Sequence, residues 1–431
     1  MKGTAPGDPE SGRTSGRPRG GPGSTTRETT GPDGPDGPDL AGYVRSLFDR
    51  LRGGELGAVP VVVSLLVIWI VFQSLNHNFL SPRNVSNIGV DITGPGLIAL
   101  GVVFVLLLGE MDLSVGSVSG LAAAIFAVMN VNHGVPEWLA IISALLAGAA
   151  IGTLQGFFFV RLGVPAFVVT LAGLLAWNGL MLYVLGASGT IDLDEQGGVV
   201  ALTNRYIHSA ALAYGLAMLG TGTFLAVSYR DSRMRRSAGM AARPVWAIAE
   251  RAVGIAVPAF AAAWILDRYR GVPVSLLVFL AFIVGLDFVL RRTTYGRRIF
   301  ATGGDLEASR RSGVNVTWTR VSAFTVSGTL AAVGGLFLAS RVASVGQTSG
   351  SSTLLIDAIA AAVIGGVSLF GGRGTTWSAL LGILVIQSIA SGMILLGVQT
   401  AVQYMVTGSV LFGAVVLDSL SRHSQKVHRL T

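Results

Sequence analysis

From residue 57 onward the chain is organised by long apolar runs, not by strand-like alternation or a narrow amphipathic stripe. A helix needs about 20 apolar residues to cross a bilayer core. Twelve segments meet that requirement: 57–75, 88–108, 113–131, 138–160, 163–185, 209–229, 245–266, 272–290, 321–340, 354–371, 375–396 and 402–420. The pattern predicts an all-α integral membrane protein of about 12 transmembrane helices. Gly94-Pro95-Gly96 in the second segment and Gly163-Val164-Pro165 opening the fifth predict broken or re-entrant helices. Such breaks are tolerated at membrane depth only where protein or a watery cavity covers the freed backbone. Residues 1–39 hold ten Gly and seven Pro, with GPDGPDGPD at 31–39 and no apolar periodicity. They predict a disordered tail over 1–40, leaving 41–431 as one polytopic domain. The first apolar run follows Arg45, Arg50 and Arg52, so it reads as an uncleaved span and not a signal peptide.

Composition agrees with this reading. Of 431 residues, 51% are hydrophobic and only 13% charged, about half the charge of a soluble domain. The net charge is nonetheless +8, which in a soluble protein would point to nucleic acid. Alternating the twelve spans with the N-terminus in the cytoplasm puts 25 Lys and Arg inside and five outside, with Arg251 inside the seventh span. The basicity is therefore a topological label, and both termini are expected in the cytoplasm. Glu250 and Arg251 are expected near the cytoplasmic end of the seventh span, where long side chains reach the interface.

Several chemistries are excluded. There is no cysteine, so thiolate metal sites, disulfides and Cys nucleophiles are absent. The five histidines have no metal-ligand spacing. No G-x-x-x-x-G-K-[ST] or G-x-S-x-G occurs, and Gly371-Gly372-Arg373-Gly374 reads as a tight turn. Glu110, Asp112, Asp287 and Asp418 are expected near cytoplasmic span ends, and Asp91 and Asp357 near outer ends. None is expected at the midplane, where an ion-coupled carrier would need one.

Two features carry positive information. In the loop 291–320, Asp305–Ser312 predicts a short amphipathic helix closed by Gly313, with Leu306 and Ala308 as its apolar grip. A helix this short needs a partner to dock on. The segments Gly109–Gly116 (GEMDLSVG) and Gly365–Gly372 (GGVSLFGG) share G-x-x-[DS]-L-x-x-G at helix junctions. They point to duplicated halves, parallel if both junctions lie on the same side.

GEMDLSVGS at 109–117, GVPAFVVTLAGL at 163–174, the loop 291–316 and DAIAAAVIGGVSLFGGRG at 357–374 together resemble the permease subunits of ABC sugar importers, in the ribose/xylose group of the branched-chain-amino-acid and monosaccharide superfamily. The likeness covers most of 57–420. Ribose-type permeases have about ten spans, and the extra pair at 205–266 with DRYRGVPV at 267–274 resembles the xylose-type members. The resemblance implies that Glu307, Ala308, Ser309, Arg310, Arg311, Ser312, Gly313, Val314 and Asn315 form the segment gripped by an ATPase subunit; the family more often has Ala where Ser309 stands. It implies a second permease copy, a separate ATPase that binds ATP and Mg, an extracytoplasmic sugar-binding protein, and a bacterial plasma-membrane location. No cofactor, metal, catalytic residue or nucleic-acid partner is expected in this chain. A neutral sugar needs a sparsely polar path, for which Asp112, Ser114, Gly116, Thr170 and Asn178 are the candidates. The alternative is a single-chain, ion-coupled sugar transporter, which would show buried carboxylates or the charged G-x-x-x-D-R-x-G-R-R loop between spans two and three. An integral-membrane transferase would gather several acids or histidines at one membrane face, and none gather here.

Overall fold

A computed structural model describes residues 59–186, 189–239 and 245–428. The tail expected over 1–40 lies outside them. The helices are α1 (Val59–Leu75), α2 (Pro82–Asp91), α3 (Thr93–Leu107), α4 (Val115–Ala127), α5 (Glu137–Arg161), α6 (Ala166–Leu185), α7 (Gly198–Asn204), α8 (Ala210–Ser237), α9 (Val245–Asp267), α10 (Val274–Arg292), α11 (Thr294–Gly304), α12 (Leu306–Arg311), α13 (Val316–Val342), α14 (Ser352–Ile364), α15 (Thr376–Leu395) and α16 (Thr400–His428). Among the described residues nine helical spans are long and apolar enough to cross a membrane. The protein is an all-α multi-pass membrane protein.

The core is built around α3, every residue of which is buried. α13, α14, α15 and α10 pack against it, and α5 packs on α13. Small residues let these helices touch. A Cβ on Gly148 in α5 would stand 2.5 Å from the carbonyl oxygen of Gly328 in α13, and a Cβ on Gly328 would collide with that of Gly148. In lipid, where burial of apolar surface no longer distinguishes protein from solvent, such close backbone packing is a main source of association.

The two predicted helix breaks resolve differently. At Gly94-Pro95-Gly96 the interruption is one residue, Ile92, between α2 and α3; Pro95 lies in the first turn of α3, where its missing N–H costs nothing. Gly163-Val164-Pro165 is no break within a helix. It is the turn between α5 and α6, with Gly163 at φ +68° and Pro165 capping the next helix. The true half-helix is α14. Its 13 residues span about 20 Å, too little for a bilayer core, and Gly365-Gly366 ends it short of the 354–371 expected. The chain before α14 folds back into the bundle: the carbonyls of Gly350 and Ser351 lie against Gly116, and that of Ser349 against Gly120, both in α4.

Two short antiparallel ladders were not foreseen. β1 (Thr190–Asp192) pairs with β4 (Ser344–Gly346), with Ile191 opposite Val345. β2 (Tyr206–Ile207) pairs with β3 (Val272–Pro273), and the Val274 amide donates to the Arg205 carbonyl at 3.0 Å. The chain therefore leaves for α8 and returns from α9 at one place.

Candidate functional site

One face of the bundle collects the basic segments. The Gly372 amide donates to the Leu107 carbonyl at 2.9 Å, and a Cβ on Gly109, at φ +77°, would lie 3.1 Å from the Phe370 carbonyl oxygen. Both glycine-rich junctions thus meet at one level, beside Gly303 at the end of α11. They also share a local device. Asp112 accepts from the Ser114 amide at 3.0 Å, and Ser368, at the same motif position, accepts from the Phe370 amide at 3.1 Å. Each short side chain satisfies the backbone two residues ahead and fixes the turn into the next helix.

On this same face α12 projects as a separate turn. Asp305 caps it, accepting from the Ala308 amide at 2.9 Å. Gly313 closes it at φ +81°, with the Val314 amide reaching the Ser309 carbonyl at 3.1 Å. Helix start, stop and stopping residue agree with the sequence. The packing does not: Ser309 is turned inward and Ala308 is exposed. The small side chain at 309 is what the tight turn demands. Glu307, Arg310 and Arg311 point outward, and the 4.0 Å Glu307–Arg310 pair is exposed on both sides, worth at most a few tenths of a kcal/mol. Their charges are available to another protein. Asn315 then caps α13, accepting from the Trp318 amide at 3.0 Å. One turn on, Arg320 donates to Glu110 at 3.0 Å while lying 4.7 Å from the Phe159 ring centre. α12, α13 and the first junction are thereby tied together.

Two of the six acids are drawn in among the helices. Asp112 is buried, receiving the Ser114 hydroxyl at 2.7 Å and the Ser327 hydroxyl at 3.1 Å; Gln155 donates to Ser114 at 2.9 Å. Ser327 is about 16 Å along α13 from Val316, at 1.5 Å per residue. The junction turns inward after Leu107, which span counting from hydropathy cannot reveal. The other is Asp357, in the second turn of the half-helix.

Asp357 lines a cavity of about 550 Å³ between α14, α4 and the last two turns of α13. Its polar lining includes Ser119, Thr190, Ser349, Thr353 and Gln387, so hydroxyls and one amide face one carboxylate. That set can exchange hydrogen bonds with a neutral, hydroxyl-rich solute and offers no array of charge for an ion. Of the residues expected to line a path, Asp112, Ser114 and Thr170 are instead buried in internal hydrogen bonds, Thr170 to the Ala166 carbonyl at 3.0 Å. Gly116 backs the re-entrant Gly350–Ser351 segment, and Asn178 lies half-buried on α6. None of the five is in the cavity wall. The signal that could have found the cavity was the polar run SVGQTSGSS at 344–352 ahead of a short apolar helix carrying an acid.

Residues 84–415 match the family described as branched-chain amino acid transport system/permease component. The xylose transport system permease protein of Escherichia coli K12 is 35% identical over 376 residues, 87% of this chain and 95% of its own length. That of Haemophilus influenzae Rd is 33% identical over 377 residues, 86% and 99%. The ribose import permease protein of Bacillus subtilis 168 is 34% identical over 365 residues, 85% and 94%. No solved structure matches. With a family match over residues 84–415 and relatives aligned over more than four-fifths of its length, the chain is a transport component and belongs to the branched-chain amino acid transport system/permease component family.

Proposed function

We propose that the chain is the membrane-spanning permease of an ATP-driven, binding-protein-dependent importer, and that it carries xylose or a closely related monosaccharide. The observation that carries this is the match to xylose permeases over nearly their whole length. On this reading the basic face is cytoplasmic, both termini lie on that side in the plasma membrane, and 205–266 is an insertion in a ten-helix core. A separate ATPase would hold ATP and Mg and grip Glu307–Asn315. A second copy of the chain would complete the path, and an extracytoplasmic sugar-binding protein would deliver solute to the face opposite α12. The polar cavity at Asp357, which runs toward that face, is the place for the sugar to enter. Asp112, Ser114, Gly116 and Thr170 stand behind the path and hold its walls, and Asn178 is assigned to its periphery.

The test is transport by the reconstituted chain. Labelled xylose should accumulate in proteoliposomes only when ATPase subunit, binding protein and ATP are all supplied. Uptake by this chain alone, driven by a proton gradient, would reject the reading in favour of an ion-coupled carrier.

A further inference from the structure

We infer that α8, α9 and α10 together form a binding site for the phosphate headgroup of an anionic phospholipid in the leaflet at the basic face. A second cavity, of about 500 Å³, lies between the last turns of α8, the first turn of α9 at Ile248 and the end of α10. Four guanidinium groups stand on its walls: Arg230 and Arg235 from α8, and Arg291 and Arg292 from α10. Two are compensated within the chain, Arg235 by Asp231 at 3.3 Å and Arg291 by Asp287 at 2.8 Å. Arg230 and Arg292 have no carboxylate within ion-pair distance among the described residues. Two uncompensated positive charges from different helices therefore border one cavity, where the apolar runs of those helices end.

A phosphate group is the complementary chemistry, since guanidinium binds its oxygens in a planar fork. A soluble phosphate and a lipid headgroup share that chemistry. The surroundings favour the lipid. On α10, Val284 and Phe288 are 55% and 62% exposed and precede Arg292 at four-residue spacing, one stripe leading to the charge. On α8, Val227 is half exposed on the cavity rim. Acyl chains would lie along these stripes with the phosphate between the arginines. Basic pockets between membrane helices at this level are the usual form of headgroup site. The site joins α8 and α9 to the helix that runs directly into α11 and α12, and it does not depend on which solute is carried.

The test is lipid retention by the full-length protein, extracted in mixed micelles of phosphatidylglycerol and phosphatidylcholine and read by native mass spectrometry. Wild type should keep phosphatidylglycerol over phosphatidylcholine. R230Q/R292Q should lower that preference about thirtyfold, at about fivefold per arginine. R233Q, which removes one arginine charge from α8 outside the cavity wall, should leave it unchanged. In wild type alone, raising salt should erode the preference, which keeps the test open if the double variant fails to fold. Equal retention of the two lipids, a double variant that behaves like R233Q, or a preference indifferent to salt would overturn the site. Displacement of the lipid by millimolar inorganic phosphate would overturn the lipid as its ligand.

Discussion

The span through α2 and α3 and the span at α8 are both strongly apolar, with mean hydropathies of 2.1 and 1.6, yet 94% of the first is buried and only 11% of the second. In water such a difference in burial would demand a difference in hydrophobic patterning. In a bilayer it does not, because lipid tails are as apolar as a protein interior. What separates the two regions is the use of small residues. Gly94 and Gly101 bring α3 against Leu338 and the Ser327 backbone of α13, and Gly148 and Gly328 bring α5 onto the same helix, whereas Gly215, Gly220 and Gly222 on α8 and Gly254 on α9 face open space. The core is specified by close glycine contact; α8 and α9 meet through Ala213, Ala217 and Ala263 and turn most of their surface outward.

The sharpest way to break this comparison is steric. Gly328→Leu should force α5 and α13 apart, costing at least about 3 kcal/mol by overpacking, and the monodisperse peak in size-exclusion chromatography should vanish. Gly222→Leu should leave that peak in place. If both variants, or neither, lose it, the distinction between the regions fails.

Next in size is the buried network. Asp112→Ala removes the acceptor for the Ser114 and Ser327 hydroxyls and the Ser114 amide, and should cost about 1–3 kcal/mol as a drop in thermal midpoint. Asp357→Asn, at the cavity wall, should keep the midpoint and lower sugar uptake instead. A stability loss at Asp357 with none at Asp112 would invert the assignment of framework and path.

Glu307→Ala with Arg311→Ala tests the exposed turn, where folding is local. Folded yield should be unchanged, while ATP-driven uptake falls about tenfold, equivalent to about 1.4 kcal/mol of lost docking. Normal uptake would sink the assignment of α12 as the docking turn. The smallest effect is expected for Gly222→Ala on α8. With nothing near the new methyl group, the variant should be neutral or more stable by up to about 1 kcal/mol from helix propensity, read in the same thermal assay.

Much of the architecture was legible in the chain. Asp305, Gly313 and the paired arginines between them announced a capped turn, because capping depends on residues within a few positions of one another. The β1–β4 and β2–β3 ladders were not legible, since two- and three-residue strands carry no periodicity. The expected path residues stood next to a conspicuous motif, and the motif serves the turn. Asp112 is used to hold α4 in place, and the cavity is lined by Ser349 and Thr353 from the stretch between two expected spans and by Asp357 from the second of them.

By itself, then, the sequence determined the all-α membrane class, the segments that gather positive charge, and the capped turn between Asp305 and Gly313. All follow from local composition measured against the bilayer. Only the tertiary structure decided which carboxylates lie deep, that α14 begins inside the bundle, and which polar groups share a cavity. Depth depends on where a chain turns back between its neighbours, and glycines brought together from distant positions, such as Gly116 beside Gly350, settle that turn through contacts no single segment encodes.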